Sequence, residues 1–353
     1  MESFAKSVYQ KALILIILVG ITAFSACAPS TKAEKTHSGE KIVIGFSMAT
    51  LKEDRWLQDR DIFLAKAKQF GYDVIVKNAN NDSQLQSEQV NDMIESGIDI
   101  LVIVPHDSVD AARSVKAAQK AGIPVISYDR LVRDANVDAY VSFDNVKVGQ
   151  VMAQSLTEAV PEGGYIILNG SENDNNSKMF NAGYMSVLNK SENRKRIQIV
   201  AETWVKDWRR EAAFDFVSQV LKDDADKIQG IIAGNDSLAW GAIDAISVAR
   251  LTGKIKVVGH DADLAGCQRI VEGTQLSTVY KPIKNEVEEA LNVCRYLLEG
   301  KSVPHETTIN DGTYDIPYVI IDVVAVTKDN LDDTVLKDGF HLKEDVYRGQ
   351  KNE

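Results

Sequence analysis

Gly122-Ile123-Pro124-Val125-Ile126-Ser127-Tyr128-Asp129-Arg130 and Gly253-Lys254-Ile255-Lys256-Val257-Val258-Gly259-His260-Asp261 end in the same way. Each is a short, β-branched strand behind a helical stretch, closed by a polar, charged tip. In an open α/β sheet, ligands bind just beyond the carboxyl ends of the strands. Two such tips in the two halves of one chain imply two α/β lobes presenting polar groups to a shared cleft. A second pair of tips, Val104-Pro105-His106-Asp107 and Ala233-Gly234-Asn235-Asp236, repeats the echo.

Working outward, strand and helix signals alternate from Lys41. In the first half strands are expected at 42–47, 72–77 and 100–104. Helices are expected at 55–70, 83–96 and 108–121, the first carrying Ile62, Phe63, Ala67 and Phe70 along one face. The run Ile100 to Val104 is almost continuously apolar, as a strand buried on both faces of a parallel sheet must be. The second half repeats the scheme, with strands at 165–168, 197–203, 230–233 and 255–259 and helices at 177–188, 209–221 and 237–249. Such βαβ alternation implies an α/β fold of two doubly wound parallel-sheet lobes.

At 353 residues the chain suits two domains of ordinary size, and 44% hydrophobic with 26% charged residues places it among globular proteins. A formal net charge of −11 argues against nucleic acid as a partner. At the N-terminus, Lys6 and Lys11 precede an apolar run over 12–24 that is too short to span a bilayer comfortably. That is the form of a secretory signal peptide over 1–26. Its end, Phe24-Ser25-Ala26-Cys27, resembles a bacterial lipoprotein cleavage box, although leucine is usual where Phe24 stands. Cys27 would then be the lipidated first residue of the exported protein; the alternative is an uncleaved membrane anchor. Residues 27–40 are poor in groups to bury and read as a flexible tether. Of the other cysteines, Cys294 lies in an apolar helical pattern and is expected in the core, while a disulfide with Cys267 stays open.

Enzyme signatures are missing from the sequence. There is no G-x-G-x-x-G, G-x-S-x-G or H-E-x-x-H, and Gly300-Lys301-Ser302 lacks the upstream glycine of a P-loop. The histidines at 37, 106, 260, 305 and 341 show no metal-ligand spacing, so His260 reads as a loop residue and no metal or cofactor is expected. What the tips offer is planar hydrogen-bonding groups, which suit paired hydroxyls, and tryptophans, which suit the flat faces of a sugar ring. Trp204 and Trp240 are expected to pack in the core; Trp56 and Trp208, flanked by charge, are left open between packing and ligand contact.

Several separated motifs carry a family resemblance: Arg55-Trp56-Leu57-Gln58-Asp59-Arg60-Asp61, Tyr128-Asp129-Arg130, Ser142-Phe143-Asp144-Asn145 and Asp174-Asn175-Asn176. Further on come Trp204-Val205-Lys206-Asp207-Trp208, Asn235-Asp236, Asp261-Ala262-Asp263-Leu264-Ala265-Gly266, Tyr280-Lys281-Pro282 and Asp338-Gly339-Phe340-His341. With these, the stretch from Lys41 to His341 resembles the periplasmic sugar-binding proteins of ABC importers, of the ribose- and galactose-binding type, and most of all their D-xylose-binding members.

The resemblance implies a type I periplasmic binding protein: a first lobe of 41–144 plus about 282–309, and a second of 145–281 plus about 310–345, joined by a hinge. It implies sugar contacts from Arg55, Trp56, Asp129 and Arg130 in the first lobe. Asn176, Trp208, Asn235, Asp261 and Lys281 follow from the second lobe and the hinge side. Phe143-Asp144-Asn145 would form the crossing between lobes, and His260 replaces the glutamine expected before that aspartate. The alternative for Arg55 and Arg130 is surface ion pairing. The implied partners are D-xylose or a related monosaccharide, an ABC permease, and the membrane through the lipid anchor. A sensor histidine kinase reading the closed form is the alternative partner. A sugar-responsive repressor is disfavoured by the export signal and by the lack of a basic helix-turn-helix segment before Lys41. The implied protein is extracytoplasmic and binds without catalysing a reaction.

Overall fold

The computed structural model describes residues 41–348; the signal peptide, Cys27 and the tether lie outside the described residues. In the first half β1 (Val43–Met48), α1 (Asp54–Gln69), β2 (Asp73–Asn78), α2 (Ser83–Glu95), β3 (Ile100–Ile103), α3 (Ala112–Lys120) and β4 (Val125–Tyr128) alternate as the pattern demands. Then come β5 (Ala139–Phe143), α4 (Asn145–Ala159), β6 (Gly163–Asn169), α5 (Asn175–Leu188), α6 (Ser191–Arg194), β7 (Ile197–Trp204) and α7 (Arg210–Asp224). The chain continues through β8 (Ile228–Ala233), α8 (Asp236–Val248), β9 (Lys256–Val258), α9 (Leu264–Glu272), β10 (Thr278–Tyr280) and α10 (Ile283–Leu298). It closes with β11 (Thr307–Asn310), β12 (Asp315–Ile321), β13 (Val324–Val326) and α11 (Lys343–Val346).

Two sheets result. The larger has seven strands in the order β11-β12-β5-β4-β3-β1-β2, parallel except for the β11–β12 hairpin. The smaller runs β7-β6-β8-β9, all parallel, and a bridge from Val258 to Ser277 leads on to the antiparallel pair β10-β13. Every residue of β3 is fully buried, which the continuous apolar run required. Polar caps start the helices where strands hand over to them: Asp82 accepts from Leu85 N, Asp144 from Lys147 N and Asn235 from Leu238 N.

Element positions follow the sequence reading closely, with two departures. The expected helix at 108–121 begins only at Ala112, because Asp107 Oδ1 accepts from the amides of Val109 and Asp110 and holds a turn there. Residues beyond 309 were expected in the second lobe, yet β12 pairs with β5 in the larger sheet. The reason is burial: Tyr318 stacks on Tyr140 at 4.8 Å between ring centroids, and Ile316 is fully buried beside them. Cys267 and Cys294 are both buried and both free, Cys294 in the core as expected.

The chain passes between the two halves three times, at Phe143-Asp144-Asn145, at Lys281-Pro282 and between β12 and β13. Two of these crossings lie side by side, where Lys147 Nζ pairs with Asp322 Oδ1 at 2.9 Å. In the second half α4 and α5 pack with their backbones in contact. An added Cβ at Gly149 would sit 2.1 Å from the carbonyl oxygen of Phe180, and one at Gly183 would sit 2.2 Å from that of Val146. Gly149→Ala is therefore expected to push α5 outward and to lower stability by about 1–3 kcal/mol. Urea unfolding monitored by circular dichroism checks this; an unchanged midpoint would mean that the helices slide apart freely.

Candidate functional site

The carboxyl ends of both sheets open onto one cleft. From the larger sheet, the turn after β1 and the start of α1 supply Glu53, Arg55 and Trp56, and the turn after β4 supplies Asp129 and Arg130. From the smaller sheet, the start of α5 supplies Asp174, Asn176 and Phe180, and the turn after β7 supplies Trp208. Asn235 follows β8, His260 and Asp261 follow β9, and Lys281 follows β10. All the residues expected to touch ligand converge here.

Arg55 organises the floor. Only 4% exposed, its guanidinium meets Asp129 Oδ2 at 2.9 Å, Asp59 Oδ2 at 3.1 Å, Glu286 Oε2 at 3.3 Å and, across the cleft, Asp261 Oδ1 at 3.6 Å. Surface ion pairing is thus excluded for Arg55, and equally for the buried Arg130. Four carboxyls around one cation cannot all stay charged in a buried setting. Burial and the neighbouring Asp129 hold the Glu286 carboxyl well above the usual range, with Arg55 opposing them. Asp261 takes the opposite course: burial pushes its carboxyl up, but Lys281 at 2.7 Å, His260 and Arg55 outweigh that and hold it well below the usual range.

Other bonds span the cleft. Arg130 Nε lies 2.8 Å from Asp174 Oδ2, while Asp174 Oδ1 caps α5 through the amide of Asn176. Asn176 Nδ2 donates to the carbonyl and carboxylate of Asp129 at 3.0 and 3.1 Å. Asp129, Trp208 and Asp261 all have left-handed backbone, with φ of 57°, 53° and 99°. Such strain persists only where surroundings over-determine it. At Asp129 they do so, because its carbonyl also accepts from Tyr140 Oη and Ser142 Oγ. The loop carrying Asp261 is held by Asp236, which accepts from Gln275, Thr278 and the amide of Asp263, and by His341, whose Nε2 meets Ala262 O at 2.7 Å.

Aromatic groups form the walls. The Trp56 ring lies under both Arg55 and Arg130, at 4.4 and 5.0 Å from its centroid. Trp208 is seated on the strand-end glycine Gly170, where an added Cβ would lie 2.0 Å from the indole. Phe180 and His260 stand edge-on to Trp208 at 6.5 and 6.3 Å. Trp208 Nε1 and His260 Nε2 are buried without a hydrogen-bond partner among the described residues. Trp204 and Trp240, expected in the core, are elsewhere: Trp204 is 36% exposed at the end of an edge strand, and Trp240 lies between the guanidinium groups of Arg210 and Arg269. Glu53, Asp174 and Phe180 line the cleft without having been expected as contacts, and His260, in a tip expected to face the cleft, lines it as well. Phe180 follows Asn176 by one helical turn, a spacing that could have found it; Glu53 carried no such signal.

Donors and acceptors thus alternate around a small space closed by ring faces, an arrangement that suits a compact polyol. Among the described residues no group of His, Cys, Asp or Glu is placed to hold a metal ion.

This chain belongs to the periplasmic binding protein family, whose domain profile, described as "Periplasmic binding protein domain", matches residues 44–302. It is 39% identical over 337 residues to the D-xylose-binding periplasmic protein of Haemophilus influenzae, covering 96% of this chain and 99% of that one. To the D-xylose-binding periplasmic protein of Escherichia coli it is 41% identical over 307 residues, covering 87% and 93%. Among solved structures, a carbohydrate transporter solute-binding protein from Chloroflexus aurantiacus in complex with D-glucose matches with a TM-score of 0.79 and 31% identity, covering 87% of this chain and 98% of that one. The two-lobed α/β fold read from the sequence is that of these proteins.

Two predictions follow from the geometry. Gly170→Ala should tip Trp208 into the cleft and weaken ligand binding at least ten-fold without unfolding the protein; calorimetry beside a thermal melt checks it. Burial pushes the Asp236 carboxyl up to about 7. The folded protein therefore binds this proton more tightly than the unfolded chain, and the stability it contributes is lost as pH rises from about 4 to 7. In Asp236→Asn that fall should flatten, as read by urea midpoints across this range.

Proposed function

We propose that this protein is an extracytoplasmic receptor for D-xylose or a closely related pentopyranose, which it encloses and presents to an ABC importer. The observation that carries the reading is the cleft itself, where Arg55, Asp129 and Arg130 on one side face Asn176, Asp261 and Lys281 on the other. A sugar bridging both sides favours the closed form by its differential affinity for that form. Hinge closure of this kind is the motion periplasmic binding proteins use as a class. The permease then reads occupancy as shape, and the protein works by binding alone. The D-xylose-binding relatives support a pentose. Its contacts are Arg55, Trp56, Asp129, Arg130, Asn176, Trp208, Asn235, Asp261 and Lys281.

The N-terminal signal and Cys27 support a lipid anchor that keeps the receptor beside its permease. Cys27→Ser should move the exported protein from the membrane fraction to the soluble one.

Calorimetric titration with xylose, glucose, ribose and arabinose tests the ligand. Xylose is expected to bind with clear preference, and silence toward all four would overturn the sugar assignment. Trp56→Ala and Trp208→Ala should each cost about 2 kcal/mol or more of binding free energy, as anchors in enclosed pockets do. That is roughly thirty-fold in affinity. Near-wild-type affinity in both variants would remove the aromatic walls from the site.

A further inference from the structure

His260, which stands where the resemblance implies a glutamine, is 2% exposed and lines the cleft. Its Nδ1 lies 3.0 Å from Asp261 Oδ1. An ionised carboxylate only accepts hydrogen bonds, so the proton of that bond belongs to Nδ1. Nε2 is then left with a free lone pair, and it has no partner among the described residues. The ring is clamped as well as polarised: Phe180 lies 4.5 Å away between centroids, Trp208 stands edge-on, and the carbonyl of His260 accepts from the amide of Asp236.

We propose that His260 Nε2 accepts a hydrogen bond from one hydroxyl of the bound sugar, which makes His260 a ligand-contacting, specificity-determining residue of the cleft. The inference rests on the pentose reading above. Its chemistry complements the groups already described. Arg55, Arg130 and Lys281 can only donate, and so can the unpartnered Trp208 Nε1. The carboxylates of Asp129 and Asp261 accept as well, and each is drawn toward a cation: Asp129 Oδ2 to Arg55 and Asp261 Oδ1 to Lys281. A hydroxyl must donate as well as accept, and His260 Nε2 is an uncommitted acceptor in the aromatic wall. The surrounding charges keep it one: burial, Lys281 after β10 and Arg55 on α1 all disfavour the imidazolium, outweighing the adjacent Asp261, and His260 titrates below the ordinary histidine range.

The test is a cycle of sugar and protein changes at pH 7.5, read by calorimetry with xylose and its 2-, 3- and 4-deoxy analogues. Losing one hydroxyl from a site with a buried acceptor costs about ten-fold or more in affinity. In His260→Leu one of the three penalties is expected to collapse to within about two-fold while the other two persist. In His260→Gln, whose amide oxygen can accept, it should remain. Equal penalties for all three analogues in wild type and His260→Leu would overturn the role of His260. A wild type that binds no xylose would overturn instead the pentose reading beneath it. Nitrogen-15 spectra of histidine-labelled wild-type protein give a reading that does not depend on the leucine variant folding, with the signal assigned through His260→Gln. The expected result is a protonated Nδ1, a bare Nε2, and an Nε2 shift that moves when xylose is added; a protonated Nε2, or one indifferent to sugar, overturns the proposal.

Discussion

One buried guanidinium constrains the rest of this structure. Arg55 sits where the two sheets face each other, and its guanidinium meets Asp59 on its own helix, Asp129 after β4, Glu286 from α10 and Asp261 from the opposite side. Breaking a buried ion pair by removing one partner typically costs about 3–5 kcal/mol, because the other charge is left stranded. Every element that supplies a partner is thereby tied to the same point. Tyr128 completes the arrangement by donating to Asp59 Oδ1 at 2.6 Å, and its ring packs edge-on against Phe46 and Phe63 in the core. The electrostatic centre of the cleft and the apolar centre of the larger sheet therefore share a residue.

The cleft's precision rests on backbone as much as on side chains. Asp129, Trp208 and Asp261 are held at positive φ, each at the end of a strand or in the turn after it. Strained positions of this kind cluster where a ligand is gripped. The protein offsets the strain with local hydrogen bonds: three donors on the carbonyl of Asp129, and the Asp236 carboxyl under the Asp261 loop. The C-terminal segment joins in, since His341 meets Ala262 O and Lys284 donates to Asp338 O. The tail motif thus helps to position the loop that carries Asp261 into the cleft.

The division between the two sheets has its own physical logic. The outer strand β12 could have closed either half, and sequence order alone favoured the second. Its apolar face decided otherwise, because Tyr318 and Ile316 complete the burial of Tyr140 in the larger sheet. Each crossing then falls immediately after a strand of one half and before an element of the other. This places the cleft, the crossings and the Glu286 end of α10 within reach of one another.

Strand and helix order was legible in the chain because burial on both faces of a parallel sheet leaves an unbroken apolar run, as at Ile100–Ile103, with amphipathic stretches between. The polar tips after those runs were legible too: Asp129, Arg130, Asn235 and Asp261 stand at strand ends, where an open sheet must place them toward a cleft. The remaining site residues were legible only through motif resemblance. Flanking charge left Trp208, which lines the cleft, open to ligand contact, but it gave no hint that Trp204, four residues earlier, faces outward. That difference depends on a backbone turned to positive φ and an indole seated on Gly170, and neither is encoded by periodicity. The tertiary structure also decided which partners each charge meets. Glu286 lies far along the chain from Arg55, and its carboxyl is pushed up by burial and by neighbours contributed from other elements. Linear order fixes which groups exist and which face they occupy; only packing sets their distances, and distance and desolvation determine their charge.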